Sequence, residues 1–218
     1  MKGDPMKLKA LILCFLLLAG CSTTRPAGLG NSKYAFNRPV DVYVIPLDGV
    51  PDEFSKMIAE EISKQHALHT KTVTRISLSK SMYDPNWNQY MSNRIADEAF
   101  KLTNKFQDKH DKTFLLVITN LDINAEGSHA RYNYATHFNH LSVVSTARID
   151  PKNIGEQENE QLKKARLFKL INKAIGQQVY GYAASSDIRS VMYGPITSLQ
   201  DLDKMGSAFT GSEQRAQP

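Results

Sequence analysis

The chain has 218 residues, a formal charge of +5, 41% hydrophobic and 22% charged residues, and two cysteines. That balance is enough for one ordinary globular domain with its own core, and it excludes the strongly basic surface that nucleic-acid binding needs. Three lysines and one aspartate fall in the first twenty residues, which leaves +3 for the rest of the chain.

Residues 1–20 read as an export signal. Lys2, Lys7 and Lys9 form a positive start, Ala10 to Leu18 an unbroken apolar run, and small residues follow. The run is far short of the roughly 20 residues that cross a bilayer as a helix. Met6 is a second candidate start, because Met6-Lys7-Leu8-Lys9 opens a signal better than Met1-Lys2-Gly3-Asp4-Pro5. Leu18-Ala19-Gly20-Cys21 resembles the lipobox of bacterial lipoproteins. The resemblance implies cleavage before Cys21 and a covalent diacylglycerol with a further acyl chain, such as palmitate, on that cysteine. Ser22, rather than an aspartate, then implies the outer membrane, facing the periplasm. Residues 21–38 read as a flexible tether, and lipid anchoring needs no spanning helix. Cys14 leaves with the signal and Cys21 takes lipid, so the domain over residues 39–205 has no disulfide and no cysteine-based zinc site.

Within that domain, Val40–Leu47 alternates as a first strand, ended by Pro46 and Gly49. Pro51-Asp52-Glu53 opens a helix through about Gln65, with early acids that suit its dipole. Thr72–Leu78 is β-branched and reads as a second strand, Tyr83–Asn88 as a turn, and Gln89–Phe106 as an amphipathic helix. Thr113–Asn120 is almost wholly apolar, as a central strand covered on both faces should be. Leu141–Ile149 completes the strands and Gln161–Tyr180 forms a long helix, while residues 206–218 are polar and expected to fray. The alternation predicts one α/β (α+β) domain, a mixed sheet with packed helices.

The order of these pieces resembles the archaemetzincins, a branch of the metzincin zinc peptidases. Val42–Leu47 matches the opening strand and Pro-Leu turn, and Tyr83–Tyr90 the Tyr-rich segment before the second helix. Leu116–Ile123 matches the "gvTdvDl" strand and Val143–Ile149 the "vvSt-Arg-Leu" strand. Ser190-Val191-Met192-Tyr193-Gly194-Pro195 matches the Met-turn, followed by Ser198–Asp203. The resemblance implies a metzincin-like mixed sheet and a peptide cleft over the zinc helix.

The zinc motif itself is degenerate. Metzincins carry two histidines one helical turn apart as ligands and a glutamate that activates water. The equivalent stretch, Leu170–Tyr182, contains no His, Asp or Glu. One superposition puts Lys173 and Gln177 in the histidine slots and Ala174 in the glutamate slot; alignment on Gly181 gives Ala174, Gln178 and Ile175 instead. An ammonium ligates zinc only after losing its proton, and neither alanine nor isoleucine takes a proton from water. No catalytic residue is therefore assigned. Lys173, Gln177, Gln178, Tyr182, Met192 and Tyr193 are expected around the former metal pocket.

An alternative places zinc at His129, His137 and His140, where His137-Phe138-Asn139-His140 has an H-x-x-H spacing. His66 and His69 lie past a helix end, where positive charge suits the dipole. Arg148 and Arg189 are expected to pair with Asp150, Asp187 or Asp201. The functional expectation is a non-catalytic pseudo-peptidase lipoprotein that binds a peptide or envelope protein. A zinc-dependent metallopeptidase with a rearranged site and a purely structural lipoprotein are the alternatives.

Overall fold

A computed structural model describes residues 38–216. The signal, Cys21 and almost all of the tether lie outside the described residues, and the described part falls within one compact unit.

The first strand, β1 (Val40–Pro46), leads into α1 (Asp52–His66) and β2 (Thr70–Thr72). A small hairpin, β3 (Tyr83–Asp84) and β4 (Gln89–Met91), precedes α2 (Ser92–Thr103) and the long β5 (Lys109–Thr119). Then come β6 (Ile123–Asn124), β7 (Ala135–Phe138), β8 (Leu141–Ser145), α3 (Glu160–Gln178) and the short α4 (Leu199–Lys204). The main sheet has the order β2-β1-β5-β8-β7, with every pair parallel except β7, which runs antiparallel at the edge. This is the mixed α/β layering that the alternation predicted.

The sheet is covered on both faces, as the near-continuous apolar runs of β1 and β5 require. Val42, Val44, Phe114, Leu116 and Val144 pack with Ile58 and Ile62 of α1 and with Leu167, Ile171 and Ile175 of α3. The alternate residues Tyr43, Ile45, Leu115, Val117 and Val143 meet Ile95, Ala96 and Ala99 of α2. The period of two along each strand thus sends successive side chains into two different cores.

Three boundaries differ from the sequence expectation, each for a physical reason. Only Thr72 of the expected strand Thr72–Leu78 belongs to β2, with Ile76 keeping a single bridge to Leu47. The even residues of β1 present their N–H to β2, as when Val42 donates to His69 at 3.2 Å; the next but one in that series is Pro46, which has no N–H. Gln89–Met91, expected as the first turn of a helix, pairs instead with β6, and Tyr90 N–H donates to the Asp122 carbonyl at 2.9 Å. The buried Gln89 amide binds Asp122 and the Arg131 carbonyl, both at 3.1 Å, which overrides its helical propensity. The strand expected to run to Ile149 stops at Ser145, whose hydroxyl accepts from Ala147 N–H at 3.1 Å and turns the chain.

The polar tail also departs from expectation, since the chain stays attached as far as Ala216. Ala183 N–H donates to the Gln214 carbonyl at 2.8 Å and Ala216 N–H to Gly181 at 2.7 Å. Glu213 accepts from the Ser190 hydroxyl and from Thr210 N–H, each at 2.7 Å. A charged side chain that collects donors orders a segment that has little apolar surface to bury.

The tightest packing lies where α3 crosses the Met192 turn. A Cβ on Gly176 would stand 2.4 Å from the Met192 sulfur and 2.9 Å from the Phe209 ring, and Met192 is fully buried. Gly176→Ala is expected to destabilise the fold by about 1–3 kcal/mol despite alanine's better helix propensity. A lowered urea midpoint at unchanged slope would show this, whereas a raised midpoint would refute it.

Candidate functional site: the cleft between an edge strand and the third helix

The segment Ala130–His137 faces α3 and the loop after Met192 across a cleft of about 460 Å³. One wall is β7, the other includes Leu170 and Lys173, and Ile196 and Thr197 close one end. Since β7 has a partner on one side only, its free edge is available.

Which groups face that edge follows from the pairing. Ser145 N–H donates to the Tyr134 carbonyl at 2.9 Å, so the doubly bonded pairs of this antiparallel ladder are Tyr134–Ser145, Thr136–Val143 and Phe138–Leu141. Ala135 and His137 alternate with them and direct their N–H and C=O away from β8. Both residues line the cleft.

Lys173 is the decisive residue on the opposite wall. It sits in the middle of α3, is only 9% exposed, and donates from Nζ to the carbonyls of Met192 at 3.0 Å and Tyr193 at 2.5 Å. Gly194 leaves room for it, since a Cβ there would come within 3.0 Å of Nζ. Burial holds the pKa of Lys173 down to about 8. Across the cleft, His137 accepts from or donates to the Ser142 hydroxyl at 2.8 Å. Although His137 is exposed along the cleft mouth, protein crowded round its ring, and secondly the Lys173 ammonium, push its pKa down to about 4. Water at the open side tempers the first of these effects.

The other expected pocket residues are dispersed. Met192 lies beneath Gly176, out of solvent, and Tyr193 contributes its carbonyl to Lys173. Gln177 and Gln178 are half-buried at the end of α3, where the Gln177 side-chain oxygen is buried with no partner. Tyr182 packs on Tyr180 and Phe209, with ring centroids 5.6 and 5.4 Å apart. None of these five lines the cleft.

The histidines are also spread out. His137 lines the cleft, His140 turns at φ 54° and lines a separate hollow beside His110, and His129 is exposed in the preceding loop. His66 bridges Asn172 at 3.0 Å and the Tyr180 hydroxyl at 3.2 Å, and His69 meets the Pro39 carbonyl at 2.9 Å. Arg189 pairs with Asp187 at 2.9 Å, whereas Arg148 pairs with Asp122 and not with the three acids expected. Asp150 binds Lys163 at 3.2 Å, and Asp201 closes a capping box with Ser198 at the start of α4.

Solved structures share this overall fold. A zinc-dependent peptidase from Methanocorpusculum labreanum superposes with a TM-score of 0.65 at 18% identity, over 78% of this chain and 96% of that one. The archaemetzincin of Methanopyrus kandleri gives 0.60 at 20% identity, over 79% and 89%. That of Archaeoglobus fulgidus, complexed with malonate, gives 0.59 at 21%, over 77% and 94%. The fold is that of the archaemetzincins. No family model matches the sequence, and no curated protein matches it.

The archaemetzincin-like fold implies zinc, and the residues at its Met-turn do not fit that ion. Zinc is held by imidazole, thiolate or carboxylate lone pairs at about 2.0–2.3 Å. Here the helix offers an ammonium that is already donating to two carbonyls, with one imidazole on the far wall. Among the described residues no three His, Cys, Asp or Glu side chains are grouped so as to hold a metal.

Sequence reasoning found Lys173 through its slot in the helix, but it missed β7 and the neighbouring Arg131, Tyr132 and Tyr134. The β-rich run Tyr132–Phe138 was the available signal.

Lys173 should leave a mark on stability. Its folded pKa is about 8 against 10.5 in the unfolded chain, so between those values the unfolded state holds the extra proton and stability rises with pH. Subtracting the pH profile of Lys173→Met from that of the wild type should give a gain on the order of 1–3 kcal/mol across this window. A flat difference would remove the depressed ammonium from the account. Its neighbour moves oppositely in range but not in sign: His137 should cost stability as pH falls from 6.5 towards 4, visible as a ring still neutral by NMR at pH 5.5.

Proposed function

We propose that this protein is a cell-envelope lipoprotein, anchored through lipid on Cys21 at the outer membrane and facing the periplasm. Its archaemetzincin-like cleft binds an extended peptide or a segment of an envelope protein without cleaving it. The observation that carries this reading is Lys173, whose ammonium is tied to the Met192 and Tyr193 carbonyls, at the helix position that one superposition of the sequence on the metzincin motif equates with a histidine slot. In its protonated form, which predominates below a pH of about 8, this group has no free lone pair and supplies neither a ligand nor a base for water.

Binding needs much less than hydrolysis. The outward N–H and C=O groups of Ala135 and His137 offer an extended chain the hydrogen bonds of an added strand, and the cleft beside them receives its side chains. Tyr132, Tyr134 and Ile196 provide apolar area for such contacts. The lipobox-like Leu18-Ala19-Gly20-Cys21 supports the location, and two or more acyl chains are enough to hold a domain at a bilayer.

Elemental analysis of the purified full chain should find well under one zinc per molecule, with no chelator-sensitive peptidase activity. Stoichiometric zinc whose removal abolishes cleavage would sink the pseudo-peptidase reading. Independently, Cys21→Ser should shift the protein from the membrane fraction to the soluble one and abolish fatty-acid labelling. Retention of both label and membrane association would refute the anchor.

A further inference from the structure

We propose that the cleft recognises a carboxylate, with the Lys173 ammonium and the Arg131 guanidinium as its cationic partners. The carboxylate comes from the C-terminus of a strand-forming peptide or from an acidic side chain within it. This rests on the reading of the cleft as a peptide-binding groove, and it names the chemistry of what binds there.

Three other cations of the domain have carboxylate partners. Arg166, 3% exposed, pairs with Asp203 at 2.7 Å and Glu156 at 3.5 Å. Lys163 meets Asp150 at 3.2 Å and Glu160 at 2.5 Å, and Arg148 chelates Asp122. Lys169 and Lys173 differ from these, since each donates to two backbone carbonyls and among the described residues neither has a carboxylate within ion-pair distance; of the two, Lys173 is the buried one and the one that lines the cleft. A buried charge without a counter-charge is costly, and the two neutral carbonyls offset only part of that cost.

The cleft it faces has the same bias. No Asp or Glu lines it, and Arg131, exposed at the rim, adds a second cation with no ion pair among the described residues. Asp201, near Tyr134, is committed to Thr197 and Ser198 at 2.8 Å each. The Tyr134 hydroxyl, kept protonated by burial, remains a donor. A protonated lysine has three N–H bonds, and two are used. One remaining N–H with a nearby guanidinium matches a singly charged carboxylate; a phosphate, with about two charges and three oxygens, calls for a denser donor set. A peptide paired along β7 would carry its carboxylate past the same wall, since Ala135, His137 and Lys173 line one cavity.

The test uses the full chain and random-sequence extended peptides made in three forms: free C-terminus, C-terminal amide, and amide with an internal glutamate. Acetate, succinate and inorganic phosphate are titrated separately, with the Lys173 side chain followed by NMR. Free-acid or glutamate-bearing peptides should bind at least about tenfold more tightly than plain amides, and the better form identifies the source of the carboxylate. Lys173→Met should erase that preference, and Arg131→Ala should weaken it several-fold. The comparison among wild-type ligands stands even if Lys173→Met fails to fold. Saturable binding that ignores the carboxylate overturns this proposal and leaves the peptide groove intact. Succinate or acetate raising the Lys173 pKa without any peptide binding keeps the carboxylate site and overturns the groove. Phosphate binding as well as carboxylates, or no binding of any probe, overturns the carboxylate proposal.

Discussion

The ammonium of Lys173, donated to the Met192 and Tyr193 carbonyls, ties the long third helix to the turn beneath it. The rest of the cleft depends on that junction. A side chain of α3 thus bridges helix and turn directly. A monovalent ammonium with fixed reach can replace a metal as a positive charge near carbonyl oxygens. It cannot replace it as a Lewis acid, because it has no vacant site for a water or a substrate carbonyl.

Packing around the junction is correspondingly close. Gly176 lets α3 rest on Met192, Gly194 makes room for Nζ, and the attached tail brings Phe209 against Gly176. Glu213 secures that tail to Ser190 just before the turn. The turn is therefore held from the helix side by Lys173 and from the tail side by Glu213, and the opposite wall, β7, presents a strand edge with unused backbone hydrogen-bonding capacity. Rigidity on one side and an open strand edge on the other suit a binding groove, since the fixed wall lowers the ordering cost of association.

Much of the fold was legible in the sequence because its central strands are covered on both faces. The second half of β5, Phe114–Ile118, is a wholly apolar run and β8 carries Leu141, Val143 and Val144, as buried central strands should, and α1 and α3 carry apolar residues at helical spacing. The errors fall where a long-range partner outweighs local preference. Gln89 is helix-compatible by itself and becomes strand through Asp122, 33 residues away. The tail follows the same rule: its polar composition gives no hint of Ser190 as a partner for Glu213.

The sequence by itself determined the order of the main central strands and long helices, the lipobox-like run that ends at Cys21, and the absence of His, Asp and Glu from Leu170–Tyr182, because these are properties of residue type and spacing. Only the tertiary structure decided that Lys173 is buried without a carboxylate, that Ala135 and His137 present their backbone to an open edge, and that His129, His137 and His140 sit apart. Those facts depend on which distant segments meet, and a charge's partner or a strand's free side is settled by neighbours the local sequence does not contain.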